Sequence, residues 1–350
     1  MLDLDPAALS RLVERALGAQ PSAVVPMPGG ASTRRYLRIT AGAARAVAMF
    51  VPDQTPEEKT SGAASTRWPF LEVHALLSER GVRVPRILGE ACDDGLLLLE
   101  DLDDDTLGAV IERAPERREA LYRQAVEDLA LAQRRLVELP PESVVRSRAF
   151  DAELLRWELE HFREWGLEAR GVTLAPDDRA AFDAIAERLA ARIASWPRGF
   201  VHRDYQSRNL MVKGSGDEAK LLWIDFQDAL LGPRVYDLVA LLQDSYQAFD
   251  RPFIEARLDE FASARGLDRA ERAELGREFD LVTVQRKLKD AGRFVFIDRV
   301  KKNPSFLSYV EPTLAKVRGA LARLEHEPDL RELSRILLRA LGPGGQGNIG

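Results

Sequence analysis

Cysteine is almost missing from this chain: Cys92 is the single one in 350 residues. A lone thiol cannot close an internal disulfide, which fits a reducing cytoplasm. Beside Ala91 and two aspartates, Cys92 reads as a structural or surface thiol rather than a nucleophile. Long apolar runs are missing too. None approaches the roughly 20 residues of a membrane-spanning helix. The acidic start, Met1 to Asp5, lacks the basic-then-apolar order of a secretory signal. A cytoplasmic protein without membrane contact is the expectation. A net charge of −6 argues against a general nucleic-acid binder. No strand is followed by the Gly-Lys-Ser/Thr of a Walker A loop, and the body carries no repeat or low-complexity block. What remains, 45% hydrophobic and 30% charged, is ordinary globular composition, long enough for two lobes.

Those lobes differ in pattern. Pro6 to Leu17 has helical spacing, with Leu9, Leu12, Val13 and Leu17 on one face. Three strands are predicted between Val24 and Phe50, a helix over Trp68 to Glu79, and strands at Val84–Leu88 and Gly95–Leu99. The polar stretch Asp53–Thr66 reads as a loop. From Asp105 onward helix dominates: Pro115–Leu139, Phe150–Leu167, Asp177–Trp196, Tyr236–Asp244, Pro252–Arg265, Arg269–Ile297, Pro312–Glu325 and Leu330–Leu341. The fold class expected is α+β, with a small antiparallel sheet lobe carrying one main helix and a larger, mostly helical lobe. The composition changes near Glu100–Asp105, which divides the chain into residues 1–102, 103–341 and a Gly-rich flexible tail, 342–350.

The chemistry is concentrated in His202-Arg203-Asp204-Tyr205-Gln206-Ser207-Arg208-Asn209 and in Asp225-Phe226-Gln227-Asp228. An Asp lies five residues before an Asn, and a second Asp follows. Phosphoryl transfer from ATP needs such a set: one carboxylate for the acceptor hydroxyl, and an amide oxygen with a second carboxylate for Mg²⁺. Leu210–Val212 and Leu221–Ile224 read as strands of a hairpin that carries Asn209 and Asp225 at one end. Asp204 is therefore the candidate base, and Asn209 and Asp225 the candidate metal ligands. Asp225 ends an apolar strand, where an unpaired carboxylate is costly and a divalent cation relieves it. His202, Arg203 and Asp237 read as loop-bracing residues.

The nucleotide side is less sharply written. Gly29-Gly30-Ala31-Ser32-Thr33 between two strands suits backbone and hydroxyl contacts to phosphate, and equally a plain hairpin turn. Glu72 stands where kinases place the helix Glu that pairs a strand lysine. The third strand has no such lysine; Met49 or Phe50 stands there, depending on register. Arg34, Arg35 and Arg38 lie beside the Gly loop, and Lys59 and Arg67 just beyond the third strand; of these, Arg35 is the expected substitute. Backbone groups at Glu100 to Leu102 are placed to meet an adenine edge.

These residues resemble the aminoglycoside phosphotransferase-like kinases, which share the two-lobed protein-kinase-like fold. Within them the chain is most similar to the bacterial N-acetylmuramate/N-acetylglucosamine anomeric kinases of cell-wall recycling. The closer likeness rests on Gly29–Tyr36, Trp157–Trp165, Asp225–Ala229, and Gln285–Lys289 with Phe294. The resemblance implies ATP and Mg²⁺ between the lobes, Asp204 serving a sugar's C1 hydroxyl, and a small-molecule sugar as the partner. Arg208, Gln227, Asp228, Arg286, Lys289 and Trp157 are the candidates to line the sugar; helix packing is the other reading of Trp157. A kinase of another small alcohol, such as an aminoglycoside or choline, and a non-catalytic nucleotide-binding protein are the competing readings. A protein kinase fits poorly, because Gln206 replaces the usual lysine and no activation segment follows Asp225.

Overall fold

The computed structural model describes residues 3–28, 33–52 and 68–342. The expected Gly29, Gly30, Ser32, Lys59, Arg67 and tail contributions lie outside these residues. Helix α1 (Pro6–Leu17) begins where Asp5 accepts the Ala7 N–H at 2.9 Å, with Pro6 in the first turn, and ends at Gly18 in the left-handed region. Five antiparallel strands follow: β1 (Ala23–Pro26), β2 (Arg35–Ala41), β3 (Ala44–Phe50), β4 (Ile87–Ala91) and β5 (Leu96–Glu100), in the order β1-β2-β3-β5-β4. Helix α2 (Pro69–Glu79) lies between β3 and β4 in sequence.

Strand alternation explains why β5 is a solid apolar run. Leu96 and Leu98 pack with Leu9, Leu12 and Val13 of α1, together with Ala46, Ala48 and Phe50 of β3. Leu97 and Leu99 face the other way, with Met49 and the α2 residues Phe70, Leu71 and Val73. Both faces of the sheet are therefore covered at β3 and β5. The same alternation settles which β3 residue takes the lysine's place: it is Met49, on the α2 face, while Phe50 faces α1.

The helical part comprises α3 (Leu107–Arg113), α4 (Arg118–Arg135), α5 (Ala152–His161), α6 (Pro176–Ala194), α7 (Tyr236–Leu242), α8 (Arg251–Arg265), α9 (Arg269–Lys301), α10 (Val310–Arg323) and α11 (Pro328–Leu341). Two short antiparallel pairs sit among them: β6 (Arg198–Val201) with β9 (Leu230–Pro233), and the hairpin of β7 (Leu210–Lys213) with β8 (Lys220–Trp223). The architecture is the α+β class expected. Four local expectations shift. The strand placed at Val84–Leu88 is β4, three residues later and bulged between Ile87 and Gly89, because Pro85 cannot donate to a ladder. The helix placed at Pro115 starts at Arg118, after a 3₁₀ turn over Pro115–Arg117. The Phe150–Leu167 helix is α5 followed by a π-helical segment, Phe162–Leu167. The Arg269 helix runs on to Lys301.

Helix α9 is the long axis of this region, about 50 Å at the helical rise. A capping box of Asp268 and Glu271 fixes its start. Gly292 lets it pass close to the π segment: a Cβ there would lie 2.9 Å from Phe162 Cα and 3.0 Å from the His161 carbonyl. Among the described residues, no helix is long and apolar enough to cross a membrane.

Candidate active site

Two buried carboxylates hold the motif loop. Asp237, on α7, accepts the backbone N–H of His202 at 2.7 Å and of Arg203 at 3.0 Å. Asp244, just beyond α7, accepts the Ser207 N–H at 3.0 Å and its hydroxyl at 2.6 Å. Burial pushes Asp237 up to about 7, and the two N–H groups pull against that. The His202 ring is fully buried against Tyr205 and Trp223, and burial pushes it down to about 4, so it is neutral at physiological pH. Thus His202, Arg203 and Asp237 brace the loop between two anchors.

That loop presents Asp204. Its Oδ1 accepts from Gln206 Nε2 and from Arg286 Nη2, both at 3.3 Å, which leaves Oδ2 to face other groups. Asn209 donates its amide N–H to the Asp204 carbonyl at 2.8 Å, so its Oδ1 is the atom turned to the cavity. The Ile224 N–H donates to the Asn209 carbonyl at 3.0 Å and ties the two ends of the β7–β8 hairpin together. Asp225 follows Ile224. Arg203 (φ 82°) and Asp225 (φ 63°) both stand in the left-handed region, a conformation that costs a non-glycine residue on the order of 1–3 kcal/mol and persists only when neighbours enforce it.

Asp204, Asn209 and Asp225 all line one cavity of about 560 Å³. Its other walls are Tyr36, Val47 and Leu99 of the sheet, Glu100 to Asp104 of the connection, and Lys289, Asp290, Arg293 and Phe294 of α9. Asp225 stands on the cavity wall, its side chain still 40% exposed. Burial pushes it up to about 6; Arg34 pulls it down, and Asp204 pushes it further up. Asn209 and Asp225 bring an amide oxygen and a carboxylate, the latter paired with Arg34, to one cavity, hard-oxygen donors that fit Mg²⁺. No group of three or more His, Cys, Asp or Glu that could hold a metal occurs among the described residues, and a cation here would be held by Asn209, Asp225 and ligand oxygens.

The remaining expected site residues divide into three groups. Glu100 and Leu102 line the cavity, and the Glu100 carboxylate is held by Arg86 and Lys213. Arg208, Gln227, Asp228 and Lys289 line it as well. Gln227 Nε2 bridges Asp225 Oδ1 and Asp228 Oδ2, each at 2.9 Å. The Arg208 guanidinium lies 3.5 Å from the Tyr246 ring centroid and donates to the Tyr309 hydroxyl at 3.2 Å.

Arg286, Trp157, Glu72, Thr33 and Arg35 are not on the cavity wall. Arg286 is fully buried behind Asp204, its guanidinium over the Tyr236 ring at 4.6 Å, so it supports the carboxylate instead of meeting a ligand. Trp157 stacks on His161 within the helical packing, which is the packing reading of that residue. Glu72 exerts its charge on Arg148. Arg35 opens β2 opposite Phe50, and its guanidinium lies 4.8 Å over that ring. Its neighbour Arg34 enters the cavity instead, because successive side chains of an extended chain point to opposite sides.

Among the charged wall residues missed in the sequence are Asp290 and Arg293. Asp290 is clasped by Lys287 at 2.8 Å, Lys289 at 3.0 Å and Arg286 at 3.8 Å, which holds its carboxyl well below the usual range. Arg293 lies three residues further along the same helical face. The spacing 286, 289/290, 293, 297 was legible as one face of a helix, but nothing in it said which face.

The fold, the loop–hairpin constellation and the cavity between them define a phosphotransferase of the kinase-like class. The chain belongs to the phosphotransferase enzyme family, whose model matches residues 23–275. It is 34% identical over 324 residues to the N-acetylmuramate/N-acetylglucosamine kinase of Pseudomonas aeruginosa, covering 91% of this chain and 88% of that protein. The enzyme of the same name from Pseudomonas putida is 31% identical over 88% of this chain and 85% of its own length. Among solved structures, ADP-bound aminoglycoside phosphotransferase APH(2'')-Ib superposes with a TM-score of 0.58 at 14% identity, over 89% of this chain and 98% of that one. Plasmodium vivax ethanolamine kinase gives 0.55 at 13% identity, over 85% and 82%.

Proposed function

We propose that the protein phosphorylates the anomeric (C1) hydroxyl of N-acetylmuramate and N-acetylglucosamine with ATP and Mg²⁺, as a cytoplasmic step of cell-wall sugar recycling. The observation that carries the choice of acceptor is the charge of the α9 face. Two cations there, Lys289 and Arg293, line the cavity with a single carboxylate, Asp290, so that stretch of an otherwise acidic wall offers positive charge to the acceptor. An acceptor carrying a carboxylate, as N-acetylmuramate does, finds complementary charge at that stretch. The relatives bearing that activity in their names support the same reading.

In this mechanism residues 1–102 form the nucleotide-binding lobe and 103–341 the catalytic and substrate lobe. Glu100 to Leu102 offer backbone groups to the adenine edge. Asn209 and Asp225 would hold Mg²⁺, which would supply charge neutralisation for the transferred phosphoryl group. Asp204 Oδ2 orients the acceptor hydroxyl and takes its proton, while Gln206 and Arg286 keep Oδ1 in place. An anomeric hydroxyl is more acidic than other sugar hydroxyls, which lightens that proton transfer. Arg208, Gln227, Asp228 and Lys289 supply the polar contacts to the ring substituents. The test is a panel of N-acetylmuramate, N-acetylglucosamine, kanamycin and ethanolamine with ATP: the two amino sugars should be turned over, and preference for kanamycin or ethanolamine would replace this reading with another small-alcohol kinase.

A further inference from the structure

We infer that Arg34 is the phosphate-binding cation of this site, taking the part that a strand lysine plays in protein kinases and moving its guanidinium from Asp225 to the phosphates of a bound nucleotide. The inference rests on the kinase reading above and names a residue that reading leaves open.

Three observations carry it. First, the strand position is apolar. Met49 faces α2, is 1% exposed, and packs among Phe70, Leu71 and Leu97, so β3 offers no charge to a phosphate. Second, the cations on the described cavity wall are unevenly placed. Lys289 and Arg293 stand on α9, and Arg208 is drawn onto Tyr246 and Tyr309. Arg34 is the wall cation beside Asp225, with Nη1 3.3 Å from Asp225 Oδ1 and Nη2 3.7 Å from Asp228 Oδ2. Third, its side chain is only 12% exposed, so the guanidinium is already largely dehydrated at the place where metal and phosphates would meet.

The partner it holds is one it must share. A guanidinium and a divalent cation on the same carboxylate repel each other across a few ångströms. When a metal–nucleotide complex takes Asp225, Arg34 gains by turning to the phosphate oxygens that arrive with it. Its planar fork matches two phosphate oxygens at once, which a lysine cannot do. Arg34 thus neutralises Asp225 while the site is empty and the nucleotide when it is filled, using one side chain that pivots at the start of β2. Glu72, the helix carboxylate that would steady a strand lysine, is released from that duty, and its charge falls on Arg148.

The experiment needs no acceptor. Calorimetric titration of the full chain with ADP and with adenosine, in the presence of Mg²⁺, compares wild type, Arg34→Gln and Arg34→Lys. A lost charge-assisted contact of this kind is worth about 10- to 100-fold in affinity. ADP should weaken by that factor in Arg34→Gln and recover in part in Arg34→Lys, while adenosine binds all three equally and certifies an intact cavity. ADP affinity unchanged in Arg34→Gln would overturn the assignment while leaving the kinase reading standing. Parallel loss of ADP and adenosine in both variants would also overturn it, making Arg34 a support of the cavity. A wild-type protein that binds neither ligand would overturn the kinase reading and this inference together.

Discussion

Arg286 Nη2 lies 3.3 Å from Asp204 Oδ1, and the Arg286 side chain is wholly shut off from solvent. The pair joins the middle of α9 to the motif loop. A buried guanidinium behind a carboxylate fixes which oxygen faces outward. Removing Asp204's charge with Asp204→Asn should lower kcat by roughly 10²–10⁴, with ADP affinity largely kept. Arg286→Met should lower kcat as well, and adding it to Asp204→Asn should cost little more, because the two act as one unit. Steady-state kinetics of the two single variants and the double variant check this; fully additive losses would separate the residues.

Asp225→Ala should abolish turnover and weaken Mg²⁺-dependent ADP binding, and Asn209→Ala should raise the Mg²⁺ concentration needed for half-maximal rate. Titrating Mg²⁺ at fixed ATP reads both. Ordinary activity of Asp225→Ala at ordinary Mg²⁺ would place the metal elsewhere.

Lys289 is a wall residue clasped to Asp290 at 3.0 Å. If the α9 charge recognises the acceptor's carboxylate, Lys289→Met should raise KM for N-acetylmuramate several-fold more than for N-acetylglucosamine, which lacks that group. Equal effects on the two sugars would make Lys289 a structural partner of Asp290 alone.

Much of this molecule can be read from its residues, and the exceptions have physical reasons. The β7–β8 hairpin is marked by an apolar run, a Gly-Ser-Gly-Asp turn and a second run, so the meeting of Asn209 with Asp225 was foreseeable. The β6–β9 pair was not. Its strands are four residues each, lie about thirty apart, and β9 ends in Gly-Pro, a pattern that argues against a strand until a partner supplies the ladder. Helix α3 is seven residues long, too short for periodicity to declare. The choice between Arg34 and Arg35 turned on one step of strand alternation, and a one-residue difference in register reverses every side chain. Arg286 was visible as a cation on α9, but only packing of Tyr236 beneath it places it behind Asp204 and not beside a ligand.

Lys316 gives a pH dependence unconnected with catalysis. Its Nζ donates to the Gln247 carbonyl at 2.6 Å and to the Asp244 carbonyl, and burial pushes it down to about 7. Lys287 pushes it the same way, and Asp244 and Asp290 oppose. The unfolded chain keeps that proton to the ordinary lysine range, so between about pH 7 and pH 10 it binds more protons than the folded one, and stability rises with pH across that window. Thermal denaturation from pH 7 to 9 should show a rising contribution in the wild type that Lys316→Met removes. Identical pH slopes would mean that Lys316 stays charged in the fold.

The most direct test of the whole account is the position of the phosphate. ³¹P and ¹³C NMR of the product formed from ATP and N-acetylmuramate should place it on C1, as an acid-labile, non-reducing sugar phosphate, and the methyl glycoside should yield no product under the same conditions. A phosphate on C6, or a methyl glycoside turned over as fast as the free sugar, would contradict it.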